Sequence, residues 1–152
     1  MDFRTVAAAI GILLVIVYAF GSGIWTSSSP GWYGTLNRPP WQPPDFVFGI
    51  IWPYNFIVLG IASYRISMAL NRNETIVWLS CFALSVVAAL SWAYNFYVPH
   101  NLQLAAFSLC ATALLTLPML FYTFRVSLLL GLAALTASAG IVSVATLDDE
   151  VA

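Results

Sequence analysis

Charge is what this sequence has least of. Among its 152 residues only 7% are Asp, Glu, Lys or Arg, against about 25% in a typical soluble domain. Lysine is missing altogether, and five arginines stand against six acids, for a net charge of −1. With no basic stripe to follow a phosphate backbone, nucleic acid is not an expected partner. Cysteine is scarce as well. Cys81 and Cys110 lie far apart, each inside an apolar run, and no metal-ligand spacing such as CxxC occurs. Both read as small packing residues, and no metal site is expected. The apolar stretches hold no Asp or His, and Glu74 only at an edge. A nucleophile with its base, the usual signature of a hydrolytic site, is therefore absent from them.

What the sequence has instead is hydrocarbon. Hydrophobic residues make up 61% of the chain, and the mean hydropathy is +0.90. Too little polar surface remains to cover one buried core, so the chain belongs in lipid. A span needs about 20 apolar residues. Residues 6–25 supply one, too long for the core of a cleaved leader, and are read as an uncleaved first helix. Phe46 to Leu70 supply a second. No charge falls between Glu74 and Arg125, room for two more, and Val98-Pro99-His100-Asn101 divides them, with Asn101 as a cap. A tight break at Phe121 to Arg125 precedes a fifth. The expectation is an all-α integral membrane protein, a five-transmembrane-helix bundle forming one domain over 1–152. The helices are placed at 5–26, 44–70, 74–98, 101–123 and 126–146, with a lid-like loop at 27–43. Asn73 is the expected cap of the third span. Pro53 and Pro118 fall inside spans and are read as structural bends.

Five spans put the termini on opposite sides. Arg4, Arg72 and Arg125 then share the N-terminal side, with Arg65 near it. Arg38 lies opposite, with the acidic tail Asp148, Asp149 and Glu150. The positive-inside rule puts the N-terminus in the cytoplasm and the proline-rich loop on the other side.

That loop reads WYGTLNRPPWQPP from Trp32 to Pro44. Pro39, Pro40, Pro43 and Pro44 fix φ and bias each preceding residue to an extended shape. The predicted segment is stiff and extended. Trp32, Tyr33 and Trp41 are rings that favour the membrane interface. Asp45, just beyond, suits the positive end of the second helix. As a plain anchor the segment would hold the loop at headgroup level; as a lid it would close the mouth of the bundle.

Trp32-Tyr33, Leu36, Arg38-Pro39, Trp41-Gln42-Pro43-Pro44, Phe48, Ile51-Trp52, Gly60 and Tyr64 follow one another at fixed gaps. This order resembles the TspO/MBR family, the tryptophan-rich sensory and translocator proteins. Arg38 stands for the family's more common lysine. The likeness continues into Leu90-Ser91-Trp92-Ala93-Tyr94, where Ser91 replaces an asparagine and Tyr94 a tryptophan. It frays in the fifth span, where Ala134 stands at a tryptophan and Val142 at an asparagine.

The resemblance implies a five-helix bundle, often a homodimer, whose first loop closes over a pocket at that end. It implies porphyrins, haem-related tetrapyrroles or sterol-like molecules as ligands, with no cofactor required. The residues suit such ligands. Trp32, Trp41, Trp52, Trp92, Tyr54 and Tyr94 offer broad faces, Arg38 can meet a carboxylate, and Ser91 offers one hydrogen bond. The function expected is a membrane-embedded binding protein for tetrapyrroles or other large apolar ligands, acting in sensing or trafficking. The alternatives are a light-dependent porphyrin-degrading enzyme, and a transporter or structural membrane subunit. Ala134 leaves that wall roomier and less aromatic. His100 reads as a solvated turn residue, with axial ligation of a metalloporphyrin as its alternative. Ala133/Ala137 and Ala134/Ser138 are spaced for close helix approach, within the bundle or across a dimer.

Overall fold

The computed structural model describes the backbone of residues 1–28, 30–37, 40 and 43–151, and their side chains except those of 30, 45 and 140–151. Five long helices form the bundle: α1 (Phe3–Thr26), α3 (Asp45–Ala69), α4 (Arg72–Tyr97), α5 (Leu102–Val126) and α6 (Leu128–Val151), with a single turn, α2 (Pro30–Tyr33), in the first loop. Among the described residues, α1, α3, α4 and α5 are each long and apolar enough to cross a membrane; the apolar part described in α6 is Leu128–Ala139.

The helices close a ring. α1 packs on α3 and α4, α4 on α5, α5 on α6, and α6 on α3. The ring wears its hydrocarbon outside: Leu13, Phe20, Ile57, Phe107 and Leu129 are exposed, while Ser63, Ser67, Thr75, Thr112 and Thr123 are buried. That inversion suits lipid, because the bilayer solvates Leu and Phe but leaves a lone hydroxyl unpaired. All of these hydroxyls but Thr75's donate back along their own helices, Ser67 Oγ to Ser63 O at 2.7 Å and Ser63 Oγ to Leu59 O at 2.8 Å. Small residues then set the spacing. A Cβ on Gly11 would lie 2.5 Å from Ser63 Cβ, so α1 and α3 meet there only because position 11 has no side chain.

Several expected boundaries move by a turn or less. α4 begins at Arg72, and its cap is Asn71, not Asn73: Asn71 Oδ1 accepts from the Glu74 N–H at 2.9 Å. Asn71-x-x-Glu74 is the capping-box spacing, and it favours the earlier start. Asn101 does cap α5, accepting from the Leu104 N–H at 3.1 Å. The break expected at 121–125 is helical. α5 runs on to Val126, and Ser127 alone, extended at φ −160°, turns the chain into α6. Pro53 and Pro118 lie within continuous helices. The Trp32 end of the loop is not extended. Pro30 opens a helical turn that carries Trp32 and Tyr33, since proline's fixed φ suits a first helical position.

The N-terminal end of the bundle gathers cations. Arg72 lies over the Phe3 ring at 5.3 Å, and Arg125 pairs with Glu74. Asp2 caps α1. The Thr5 hydroxyl and backbone N–H both donate to it, holding its carboxyl below the usual carboxylate range.

Candidate functional site

Aromatic rings fill the loop end of the bundle. On α4, Trp92 and Phe96 stand one turn apart and lie near-parallel, with centroids 5.8 Å apart. Trp52 of α3 stacks beside Trp92 at 6.4 Å and 22°. One turn deeper, Phe56 stacks on Trp52 at 6.0 Å. Tyr18 of α1 meets both Trp52 and Phe56 edge-on, at 6.1 and 5.2 Å. At the top, Trp32 sets its edge to Phe96 at 5.2 Å and its face to His100 at 3.9 Å. Spacing by three or four residues puts these rings on one face of each helix. His100 reaches Trp32 because it sits at φ 56°, a left-handed turn uncommon outside glycine. It is therefore a stacked ring as well as a turn residue.

Of the expected site residues, this column unites Trp32, Trp52 and Trp92. Tyr54, Ser91 and Tyr94 lie on helix seams. Tyr54 follows Trp52 by two residues, so it points about 200° away round α3. Its hydroxyl donates to Ala133 O of α6 at 3.1 Å and meets Thr136 Oγ1 at 2.9 Å, and the residue is 37% exposed. Ser91 Oγ meets Ser108 Oγ of α5 at 3.2 Å and accepts from Asn95 Nδ2 at 3.2 Å. Tyr94, 46% exposed, sets its edge to Trp25 of α1 at 5.9 Å. Arg38, Pro39, Trp41 and Gln42 lie outside the described residues, as do the side chains of Asp45, Val142, Asp148, Asp149 and Glu150.

Below the column the bundle holds an open volume. A cavity of about 540 Å³, counted with its open mouth, lies between α3, α4, α5 and α6, with Tyr18 of α1 at its edge. Its interior has room for a few water molecules and not for a macrocycle. Ala134, Ala137 and Ser138 line the cavity wall, so the small residues of α6 face into the bundle. The floor is Trp78, 1% exposed, whose Nε1 donates to Met119 O at 3.2 Å and Thr123 Oγ1 at 3.3 Å. Asn55 also lines this cavity and escaped the sequence reading. Its signal was present: it is the one carboxamide between Phe46 and Leu70. Among the described residues no cluster of His, Cys, Asp and Glu could hold a metal ion.

Comparison with known proteins agrees with this architecture. The model of the TspO/MBR family matches residues 9–147. The tryptophan-rich protein TspO of Chlorobaculum tepidum is 32% identical over 94 residues, 61% of this chain and 59% of that one. Protein CrtK of Rhodobacter capsulatus is 30% identical over 76 residues, 49% of this chain and 48% of that one. The translocator protein of Bos taurus is 32% identical over 92 residues, 59% of this chain and 50% of that one. The matches thus span about half to three-fifths of these relatives' lengths. The chain belongs to the TspO/MBR family and is an integral, multi-pass membrane protein.

Proposed function

We propose that this TspO/MBR protein is a membrane-embedded receptor for large, flat, apolar ligands, tetrapyrroles foremost, acting in sensing or trafficking. The observation that carries the reading is the ring column. Trp52, Trp92 and Phe96 lie near-parallel beneath Trp32, which sits in the segment whose tryptophans and prolines match the family. Stacked rings present the faces a planar ligand needs, and indole N–H groups can meet its carboxylates. The names of the relatives, translocator and sensory proteins, support the same general role. Trp32 and His100 form the outermost layer, so a planar ligand enters by displacing His100 from the Trp32 face. Arg38 and Trp41, in the same segment, are further candidates for contact. The arginines gathered at the other end favour an N-terminus in the cytoplasm, with the ligand entering from the opposite side. Whether two copies pair as a homodimer is a separate proposal of the same resemblance.

The test is a dark titration of purified protein with protoporphyrin IX, read by tryptophan quenching and by the shift of the porphyrin absorption band. Saturable binding in the micromolar range or tighter, weakened in Trp32→Ala and Trp52→Ala, supports the reading. Linear quenching that neither variant changes means partition into detergent and removes it. Illuminating the same complex tests degradation. Ala134 stands where the resemblance places a tryptophan, so the expected result is binding without turnover.

A further inference from the structure

We propose that the inner cavity is a second binding site, which takes the hydroxyl head of a slim long-chain alcohol and pairs it with the Asn55 carboxamide. Asn55 is 7% exposed and lies near the middle of α3, about 15 Å along the helix from Asp45. Its side chain makes no hydrogen bond to any described residue. Tyr18, 5% exposed, is in the same position with its phenol. Both line the cavity, and neither polar end is sealed in protein as the unpartnered Thr75 Oγ1 is. A buried carboxamide with no partner, at a depth where lipid offers none, is costly. That cost is offset when something in the cavity supplies the missing bonds.

The rest of the lining says what that must be. Ser85 Oγ donates to Phe82 O at 2.8 Å and Thr112 Oγ1 to Ser108 O at 2.9 Å. Thr116 Oγ1 donates to Thr112 O at 2.8 Å and Thr123 Oγ1 to Met119 O at 2.7 Å. Ser138 Oγ donates to Ala134 O at 2.8 Å. With their protons engaged on backbone carbonyls, these five hydroxyls offer the cavity lone pairs only. Asn55 offers both donors and an acceptor. The occupant therefore needs a donor proton for the hydroxyls and an acceptor for the Asn55 amide, which one hydroxyl group supplies. A carboxylate can accept from Asn55 and Tyr18 but brings no proton for the five hydroxyls and finds no cation in the lining. An ammonium finds no anion. An alkane leaves Asn55 unpaired. The cavity has room only for the head, and Val58, Leu59, Met119 and Leu120 in its lining suit the first carbons of a chain that leaves through the mouth.

The experiment uses the full chain in lipid nanodiscs and a long-chain primary alcohol bearing a mid-chain diazirine. After irradiation, cross-links are expected on 112–123 and 134–139. Decanol should compete for them, and neither decane nor decanoate should. Asn55→Leu, of similar size, should weaken competition by decanol about tenfold, the loss of one well-made hydrogen bond. Ala134→Leu, which fills the wall, should remove the cross-links, and helical circular dichroism checks that both variants fold. Trp32→Ala, far from the cavity, should leave alcohol binding intact while weakening protoporphyrin. The two sites thus fail separately. Cross-links scattered over the lipid-facing surface, equal competition by decane, or wild-type behaviour of Asn55→Leu would each overturn the proposal and leave ordered water as the partner of Asn55.

Discussion

The two halves of the bundle interior solve the same packing problem with different materials. At the loop end, rings from α1, α2, α3 and α4 stack and meet edge-on. Toward the N-terminal end, hydroxyl-bearing helices enclose a cavity whose polar groups point inward. In lipid the hydrophobic effect does not drive helices together, so association rests on close packing and on polar groups that find partners. The column relies on the first and the cavity wall on the second. The column is therefore expected to be stiff and tolerant only of other flat rings. The cavity is expected to respond to whatever changes its polar balance.

The largest test of this contrast is at the cavity floor. Trp78 is the largest of the fully buried side chains and ties α4 to α5 through its indole N–H. Trp78→Ala is expected to destabilise the bundle by about 3–5 kcal/mol. Reversible unfolding in mixed micelles measures it. A loss below about 1 kcal/mol would mean that α4 and α5 hold together through their other contacts, and that the floor is not a structural joint.

Asn55→Leu should move stability the other way. Replacing an unpartnered carboxamide by an apolar group of similar volume is expected to stabilise the empty protein by about 1 kcal/mol. The corresponding truncation in the column, Trp92→Ala, can only destabilise. If Asn55→Leu also destabilises, Asn55 has a partner in the resting protein, and the contrast between the two regions narrows.

Much of this was legible in the sequence, and what was not has physical causes. The spans were visible because charge is missing from them for twenty residues at a time, a signal local packing cannot blur. The column was partly visible because Trp52 and Trp92 sit in stretches that match a family. Phe96 was not, because a phenylalanine in an apolar run carries no signal of its own, and His100 was not, because its place depends on one left-handed turn. Position along a helix gives a face only when the neighbours are known. That is why Tyr54, Ser91 and Tyr94, chosen for their chemistry, turned out to lie on seams. Asn55 was overlooked for the opposite reason: a lone amide in an apolar run carries no pattern, and only its lack of a partner singles it out. The start of α4 was misplaced because either Asn71 or Asn73 can cap a helix, and Glu74 decides between them only once the spacing is weighed.

Within the column, coupling is the measure. Trp52 and Trp92 lie near-parallel and offset, 6.4 Å apart, and such pairs are worth about 0.5–1.5 kcal/mol beyond their area. A double-mutant cycle with phenylalanine and alanine at both positions should return a coupling of that size. A coupling near zero would make the rings independent fillers and weaken the case that a planar ligand finds an ordered face there.

The smallest expected effect is on the seam between α3 and α6, which borders the cavity and not the column. Tyr54 pins it through one hydroxyl, to Ala133 O and Thr136 Oγ1. Thr136 Oγ1 itself lies 2.8 Å from the same Ala133 carbonyl, so its oxygen has another partner when Tyr54 is cut back. Tyr54→Phe is therefore expected to cost only about 0.6 kcal/mol, the average for a hydrogen bond between membrane helices. The change is better read locally than globally. Amide exchange in 128–139 should quicken as α6 moves more freely against α3, while exchange in 92–97, under the column, should hold. Faster exchange in both stretches would mean that the ring column leans on the α6 seam for its order, and that the two regions are one mechanical unit.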